Sequence, residues 1–340
     1  LVHVFNRSEL IEVATFRSGN NGFNDGNLVT DQSGKIIRDN VWGTLEEDTY
    51  RRDFTINALY YCPITGKIED YNKGLKHIHN KEIVSIGDPD LRFEEDPVRS
   101  LRAIRFCTKL NFKISNNIKE AIYKKGHLLS SVSNARLFDE FCKIFLNGMA
   151  EKNFNKLVSF GLNKYLVSTN LNGCEFSNQL IIEALRNTDK RIKNNQSITP
   201  GFLIAALLWP QLIKKSLKGN EINLKKFFRS MDSILRNQQK ITAIPRKFHT
   251  YIKDIWVLQL KLHSRIGRQP YKTLKHPRFR AAYDFLLIRE KATAKTKDLG
   301  FWWTEFQKNN EDLKKKLIND LKKNNLEESS KIFGFSKELR

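Results

Sequence analysis

Three clusters of charged side chains in the first 105 residues of this 340-residue sequence could do chemistry. The first is a single acid, Glu12, in the run Leu10-Ile11-Glu12-Val13-Ala14-Thr15-Phe16. As a strand, this run is apolar on both faces, with Leu10, Ala14 and Phe16 on one and Ile11 and Val13 on the other. A carboxylate on a strand buried on both sides must be paired or hold a metal ion. Pairing with Arg17 at a sheet edge is the alternative. The second cluster is Arg51-Arg52-Asp53-Phe54-Thr55-Ile56-Asn57. On a helix capped by Asp53, Asp53 and Asn57 share a face. The two arginines then precede a helix N-terminus, where backbone N–H groups and the dipole favour phosphate. That combination suits a ribose triphosphate, and equally a capped helix with a basic approach. The third cluster is Glu94-Glu95-Asp96-Pro97-Val98-Arg99, continuing to Arg102 and Arg105. An acid accepts from an exocyclic amino group and a guanidinium donates to a ring nitrogen. Asp96 and Arg99 could thus read the edge of adenine or cytosine without a template strand. Helix capping by Asp96 with solvated arginines is the plainer alternative.

These groups must be positioned by a mixed α/β head. Val2 to Phe5 and Leu10 to Phe16 read as short strands, residues 18–40 as a long loop rich in Gly, Asn, Asp and Ser, and residues 51–61 as a short helix. Residues 64–71 read as a hairpin and Gly87-Asp88-Pro89-Asp90 as a turn. From residue 95 the pattern is helical. Asp96-Pro97 is an N-cap followed by a first-turn proline. Val98, Leu101, Ile104 and Thr108 form the inward stripe. Residues 135–148 and 202–217 are further amphipathic helices, the second ended or kinked at Pro210. The fold class expected is α+β: a mixed-sheet head followed by an all-helical body. The expected divisions are a head over residues 1–90, a neck over 91–150, a body over 151–240, a basic helical region over 241–308 and a polar, flexible tail over 309–340 with room for one weak helix.

Lys and Arg number 59 against 37 Asp and Glu, a formal charge of +22 that favours a polyanionic partner. A basic proteome background is the bland alternative. Residues 241–300 hold 14 Lys and Arg against 4 Asp and Glu, which concentrates the charge there. Aromatics alternate with cations in that stretch, as on surfaces that track a phosphate backbone. Trp256, Leu260 and His263, and Phe279, Tyr283 and Leu286, recur at helical spacing and read as core. Lys261, Arg265, Arg268, Lys272, Lys275, Arg278 and Arg280 between them are the RNA candidates. The four cysteines, Cys62, Cys107, Cys142 and Cys174, form no CxxC pair, so a zinc site is not expected and a reducing cytoplasm is. The sequence has no membrane-spanning apolar run and no signal peptide. It opens without Met in what reads as the middle of a strand, so residues are expected to precede Leu1.

The segments RRDFTINAL and EDPVRSLRAIRF, in this order and spacing, resemble the nucleotide-binding and base-recognition motifs of the class II bacterial nucleotidyltransferases. That family comprises the poly(A) polymerases and the CCA-adding enzymes, with a polymerase-β-like head. The resemblance implies a two-metal transfer of a nucleotide to an RNA 3′ end, with Mg2+ or Mn2+ as the ions and release of pyrophosphate. It implies that Glu12 is the third acid at the metals. Arg51, Arg52, Asp53 and Asn57 would hold sugar and phosphates, Asp53 being counted also as catalytic. Asp96 and Arg99 would read the base, supported by Glu95 and Arg102. The stretch HPRFRAAYDFLLIR and the Trp302-Trp303 pair resemble the poly(A) polymerases rather than the CCA-adding enzymes, which makes ATP the expected substrate.

One departure is serious. The family opens with a glycine-rich segment and an Asp-x-Asp pair that ligates both metals, and neither lies upstream of Glu12. The sequence's Asp-x-Asp, Asp88-Pro89-Asp90, lies downstream of the nucleotide block and is rejected. Residues 1–340 alone are therefore expected to be inactive. A non-catalytic RNA-binding fragment is the reading from a different class. A monomer, and a partner from the RNA-chaperone or RNA-degradation machinery, complete the expectations.

Overall fold

A computed structural model describes residues 2–7, 9–18, 42–168, 175–219, 221–293 and 299–323. The chain forms two compact units, Leu1–Val132 and Ser133–Arg340. The boundary falls inside the 91–150 segment, so that segment is shared between units. Most of the 18–40 loop and the tail beyond residue 323 lie outside the described residues.

The first unit begins with the antiparallel hairpin β1 (Val2–Asn6) and β2 (Glu9–Val13), in which His3 pairs with Glu12. Every described residue of both strands is exposed. This corrects the expectation of a strand buried on both faces. Apolar alternation reports what could be covered, not what covers it.

Helix α1 (Leu45–Tyr50) follows, started by a reciprocal capping box between Thr44 and Glu47. The helix expected over 51–61 therefore lies earlier, and Arg51 is its C-cap. Residues 55–57 make one 3-10 turn. The strands β3 (Tyr60–Tyr61) and β4 (Ile68–Glu69) form a hairpin that begins earlier than the one expected over 64–71, its first strand taking the end of the segment expected to be helical. Then come α2 (Gly74–His79), β5 (Glu82–Ile83), α3 (Pro89–Glu95), α4 (Val98–Leu110), β6 (Lys113–Ile114) and α5 (Asn116–Lys125). β5 and β6 pair in parallel. Gly87-Asp88-Pro89-Asp90 is the start of α3 rather than a free turn: Asp88 caps it by accepting from Asp90 N–H at 2.8 Å, and Pro89 takes the first helical position. Val98, Leu101, Ile104 and Thr108 of α4 are all buried, as their spacing predicts. They pack in a core that includes Phe54, Ile83, Phe93 and Ile118. Each such side chain stabilises the unit by about 1.5–3 kcal/mol on burial.

The second unit is built from α6 (Asn134–Phe145), α7 (Ala150–Ser159), α8 (Glu175–Lys193), α9 (Pro200–Ser216), α10 (Leu224–Gln239), α11 (Arg246–Lys261), α12 (Gln269–Leu274), α13 (Phe279–Thr293), α14 (Leu299–Lys308) and α15 (Glu311–Lys323). It is not purely helical, since β7 (Leu217–Lys218) and β8 (Glu221–Ile222) make a two-residue antiparallel pair. α9 matches the helix expected over 202–217 and runs through Pro210 to Ser216 without ending at the proline. Its buried stretch from Leu203 to Ile213 holds it in the core, which outweighs the one backbone bond a proline removes. Trp256, Leu260, Phe279, Tyr283 and Leu286 are core residues, as their helical spacing predicts, whereas His263 is only half-buried. Trp256 donates its indole N–H to the Ala205 carbonyl at 2.9 Å, and Trp303 donates to Leu262 at 2.9 Å, so both buried donors are satisfied. The α+β class is thus observed, with the short sheets concentrated in the first unit.

Candidate functional site

The two arginines of the nucleotide block sit on the turn that leaves α1. One buried acid, Asp48, holds both. Arg51 Nε donates to Asp48 Oδ1 at 2.7 Å and Arg52 Nη2 to Asp48 Oδ2 at 2.7 Å. The Tyr60 hydroxyl donates to the same carboxylate and accepts from Arg52 Nη2 at 2.9 Å. Burial alone would raise the Asp48 carboxyl. Hydrogen bonds from Tyr60, Arg52 and Arg51 outweigh it and hold the group well below the usual carboxylate range. Neither Asp48 nor Tyr60 stands out in the sequence. The usable signal is spacing, because Asp48 lies three and four residues before the arginines.

Asp53 is 8% exposed, and three donors meet its carboxylate. Phe54 N–H reaches Oδ1 at 2.9 Å, Asn57 Nδ2 reaches Oδ1 at 3.0 Å, and Arg102 Nε reaches Oδ2 at 2.5 Å. The expected Asp53–Asn57 contact exists, made across a 3-10 turn. Backbone bonds from Ile86 N–H to the Asp53 carbonyl and from Thr55 N–H to the Val84 carbonyl anchor this turn.

Arg92, on α3, joins the two blocks. Its Nη2 donates to the backbone carbonyls of Arg51 at 2.8 Å and Arg52 at 2.6 Å, and its Nη1 donates to Glu95 Oε2 at 2.6 Å. Burial lowers the affinity of this guanidinium for its proton, as does neighbouring Arg99, and Glu95 and Asp53 act in opposition. Glu95 also accepts from Arg99 Nη1 at 2.8 Å, and that nitrogen donates to the Arg92 carbonyl at 2.9 Å. The Asp96 carboxylate accepts from Val98 N–H at 3.2 Å, which is the capping role expected of it. The structure thus places these residues in two adjacent groups: Arg51, Arg52, Glu95 and Arg99 are joined through Arg92, and Asp53, Asn57 and Arg102 meet at the Asp53 carboxylate. Arg92 went unnoticed in the sequence, although Arg92, Glu95 and Arg99 repeat at three and four residues.

Glu12 stands outside that network. Its side chain is 64% exposed, and His3 Nε2 lies 3.9 Å from its Oε1 rather than Arg17. Asp88 caps α3 and Asp90 bonds to Lys124, so the Asp-x-Asp segment is otherwise engaged. Among the described residues no three His, Cys, Asp or Glu side chains could hold a metal ion together. These residues alone do not fit a divalent-metal centre.

In the second unit, Lys261, Arg268, Lys272, Lys275, Arg278 and Arg280 are exposed, while Arg265 is half-buried with its guanidinium over the Trp302 ring at 5.7 Å. Cys62, Cys107 and Cys142 are free thiols. Among the described residues no helix is long and apolar enough to cross a membrane.

Three family models match the chain. They are described as the Poly A polymerase head domain, over residues 1–84, the Probable RNA and SrmB- binding site of polymerase A, over 111–169, and the Polymerase A arginine-rich C-terminus, over 220–332. Poly(A) polymerase I of Salmonella typhi is 37% identical over 334 residues, spanning 94% of this chain and 72% of that protein. Poly(A) polymerase I of Escherichia coli O157:H7 is 38% identical over 339 residues, with the same coverage of 94% and 72%. A CCA-adding enzyme of Bacillus licheniformis is 31% identical over 201 residues, 59% of this chain and 49% of that protein. The solved Bacillus stearothermophilus CCA-adding enzyme in complex with CTP shares the fold, with a TM-score of 0.54 at 22% identity over 94% of this chain and 66% of that one. By the extent of its match to the poly(A) polymerase I relatives, the chain belongs to the bacterial poly(A) polymerases, a family of polynucleotide adenylyltransferases.

Proposed function

We propose that this protein serves template-independent addition of AMP from ATP to RNA 3′ ends, with release of pyrophosphate. The observation that carries the reading is the Arg92 bridge, which ties the backbone of Arg51 and Arg52 to Glu95 and through it to Arg99. Phosphate-binding groups and base-reading groups in one rigid network suit a single nucleotide held without a template. In this reading Arg51 and Arg52 face the phosphates, and Asp53 and Asn57 face the ribose. Asp96 and Arg99 face the base edge, with Glu95 holding Arg99, while Arg102, expected to support that pair, holds Asp53. Lys261, Arg265, Arg268, Lys272, Lys275, Arg278 and Arg280 contact RNA. The five-part division of the chain and a cytoplasmic monomer, working with RNA-chaperone or RNA-degradation machinery, belong to the same proposal.

Divalent ions, Mg2+ or Mn2+, are part of the family's chemistry, and Glu12 is assigned to them. Without an Asp-x-Asp pair ahead of the nucleotide block, residues 1–340 by themselves are proposed to bind ATP and RNA but not to join them. Measurable AMP incorporation by this segment with ATP and Mg2+ would show that the metal acids lie elsewhere in it. The base-reading assignment is tested by nucleotide binding. ATP should bind in preference to CTP, UTP and GTP, and Arg99→Ala should erode that preference more than it weakens RNA binding. An unchanged preference removes Arg99 from the role.

CCA addition to tRNA is the second reading, supported by the 31% identical CCA-adding relative. The enzyme expressed from its full coding sequence separates the two. A long A tract on a generic RNA with ATP alone supports polyadenylation. Three or fewer additions, confined to tRNA, would transfer the assignment.

A further inference from the structure

Two adjoining clefts in the second unit share one wall. The smaller, of about 210 Å³, is lined by Phe202 of α9, Tyr251 of α11 and Arg278 beside α13, among others. The larger, of about 500 Å³, includes Arg186, Lys190 and Lys291. Arg191, Arg280 and Asp284 line both. Asp284 organises the shared wall. Its carboxylate accepts from Arg191 Nη1 at 3.2 Å and pairs with Arg280 Nε at 3.1 Å. Arg191 is fixed further by donating from Nε at 3.1 Å and from Nη2 at 3.0 Å to the Ser197 carbonyl.

The smaller cleft has a built aromatic wall. A Cβ at Gly201 would lie 3.0 Å from both the Phe248 and Tyr251 rings, so glycine there lets α9 and α11 approach and sets Tyr251 at the cleft. Arg278 lies over the Tyr251 ring, 4.9 Å from its centroid. The larger cleft gathers five basic side chains against the acids Glu183 and Asp284. Glu183 pairs with Arg186 and Lys291, which leaves Lys190, Arg191 and Arg280 to set the sign of the site with only Asp284 against them. An aromatic and guanidinium platform opening onto a cationic basin matches one unpaired nucleotide: a planar base for the first, phosphate for the second. An acidic peptide would satisfy the basin but leave the platform without a planar partner.

We propose that these paired clefts hold one unpaired nucleotide of the RNA, its base against Tyr251 and Phe202 and its phosphate beside Lys190 and Arg191. The site would retain the growing strand in the second unit. This inference rests on the reading of the chain as acting on RNA, and it needs no catalysis to be tested.

The test is equilibrium binding of residues 1–340 to short oligo(A) and to an abasic ribose-phosphate oligomer of equal length, with ATP binding measured in parallel. The intact chain should prefer oligo(A). Tyr251→Leu should weaken oligo(A) binding by roughly 5- to 150-fold, the range for losing one base stack, and leave the abasic strand as it was. Tyr251→Phe should retain the preference. Arg191→Gln should weaken both strands and lower the salt slope by about one. Arg278→Ala, at an exposed position, should reduce the preference for oligo(A) over the abasic strand, on top of a loss common to both strands from the removed charge, should Tyr251→Leu prove unstable. An undiminished preference in both Tyr251→Leu and Arg278→Ala overturns the proposal, as does poly-glutamate competing as well as oligo(A) at equal charge. ATP binding should be unchanged in every variant. Its absence in the intact chain would strike the nucleotide-site reading and leave the strand comparison to stand on its own.

Discussion

Arg102 reaches across 49 residues of sequence to hold Asp53, with Nε 2.5 Å from Oδ2. The acid is 8% exposed and the arginine side chain 31% exposed, so the pair is unequal in its dependence on water. Removing the arginine leaves a buried carboxylate with the Phe54 N–H and Asn57 amide as its remaining recorded donors. An unsatisfied buried polar group costs about 1–3 kcal/mol, and more when charged. Asp53 keeps two of its donors, so Arg102→Ala should destabilise the first unit by an amount within about that range, and Asp53→Asn added to it should recover part of the loss. Denaturant midpoints of the two variants and their combination measure this. Strictly additive losses would show that the two side chains do not depend on each other.

A separate prediction concerns Arg92. One planar guanidinium serves the Arg51 carbonyl, the Arg52 carbonyl and Glu95 at once. Lysine keeps the charge but not the fork. Arg92→Lys should weaken ATP binding about tenfold, equivalent to about 1.4 kcal/mol, by letting the turn that carries Arg51 and Arg52 drift. Titration of ATP against both proteins checks it. Wild-type affinity in the lysine variant would mean that charge alone, and not the tie between the two blocks, is what matters at this position.

The way these residues were legible in the sequence differs from place to place. The α4 stripe was readable because Val98, Leu101, Ile104 and Thr108 repeat at helical spacing with one outcome, burial. Asp96-Pro97 was readable because capping is local chemistry, and Asp96 does accept from Val98 N–H. The segment at Arg51 was misplaced for a local reason too: Thr44 and Glu47 close a capping box that starts the helix earlier. Pro210 lies inside α9 because burial along the helix is a tertiary effect that a breaker residue does not announce. Arg92 was invisible as a bridge because two of its partners are backbone carbonyls about 40 residues away, which carry no residue-type signature. The strand around Glu12 shows the opposite failure. Its apolar content says that it can be buried, while every residue of the two strands is exposed.

Asp48 makes a prediction about acid. Burial would raise its folded carboxyl, but the Tyr60, Arg52 and Arg51 hydrogen bonds dominate and hold it well below the usual carboxylate range. For a depressed carboxyl the stabilisation is fully present above the unfolded value and is lost as pH falls through the folded one. Asp48→Asn should thus be less stable than wild type at neutral pH, and the gap should narrow as pH drops below about 4. Urea midpoints across that range measure the gap. A difference that stays constant into strong acid would mean that Asp48 contributes through shape and not through its charge.

The basic stretch of the second unit yields the last prediction. Arg268 is exposed at the start of α12, whereas Arg265 lies over Trp302, a core residue 6% exposed. Neutralising each with glutamine should therefore have different consequences. If both arginines meet RNA phosphates, each releases about one counterion, so each substitution should flatten the dependence of log affinity on log salt by about one. Arg265→Gln should in addition lower the stability of the second unit by about 0.5–1 kcal/mol through the lost cation–π contact, while Arg268→Gln should not. RNA binding at several salt concentrations, together with thermal unfolding of both variants, resolves the two effects. An unchanged salt slope in both would move the RNA path away from α12. A changed slope in Arg268→Gln alone would assign Arg265 to packing and leave the exposed cations to carry the strand.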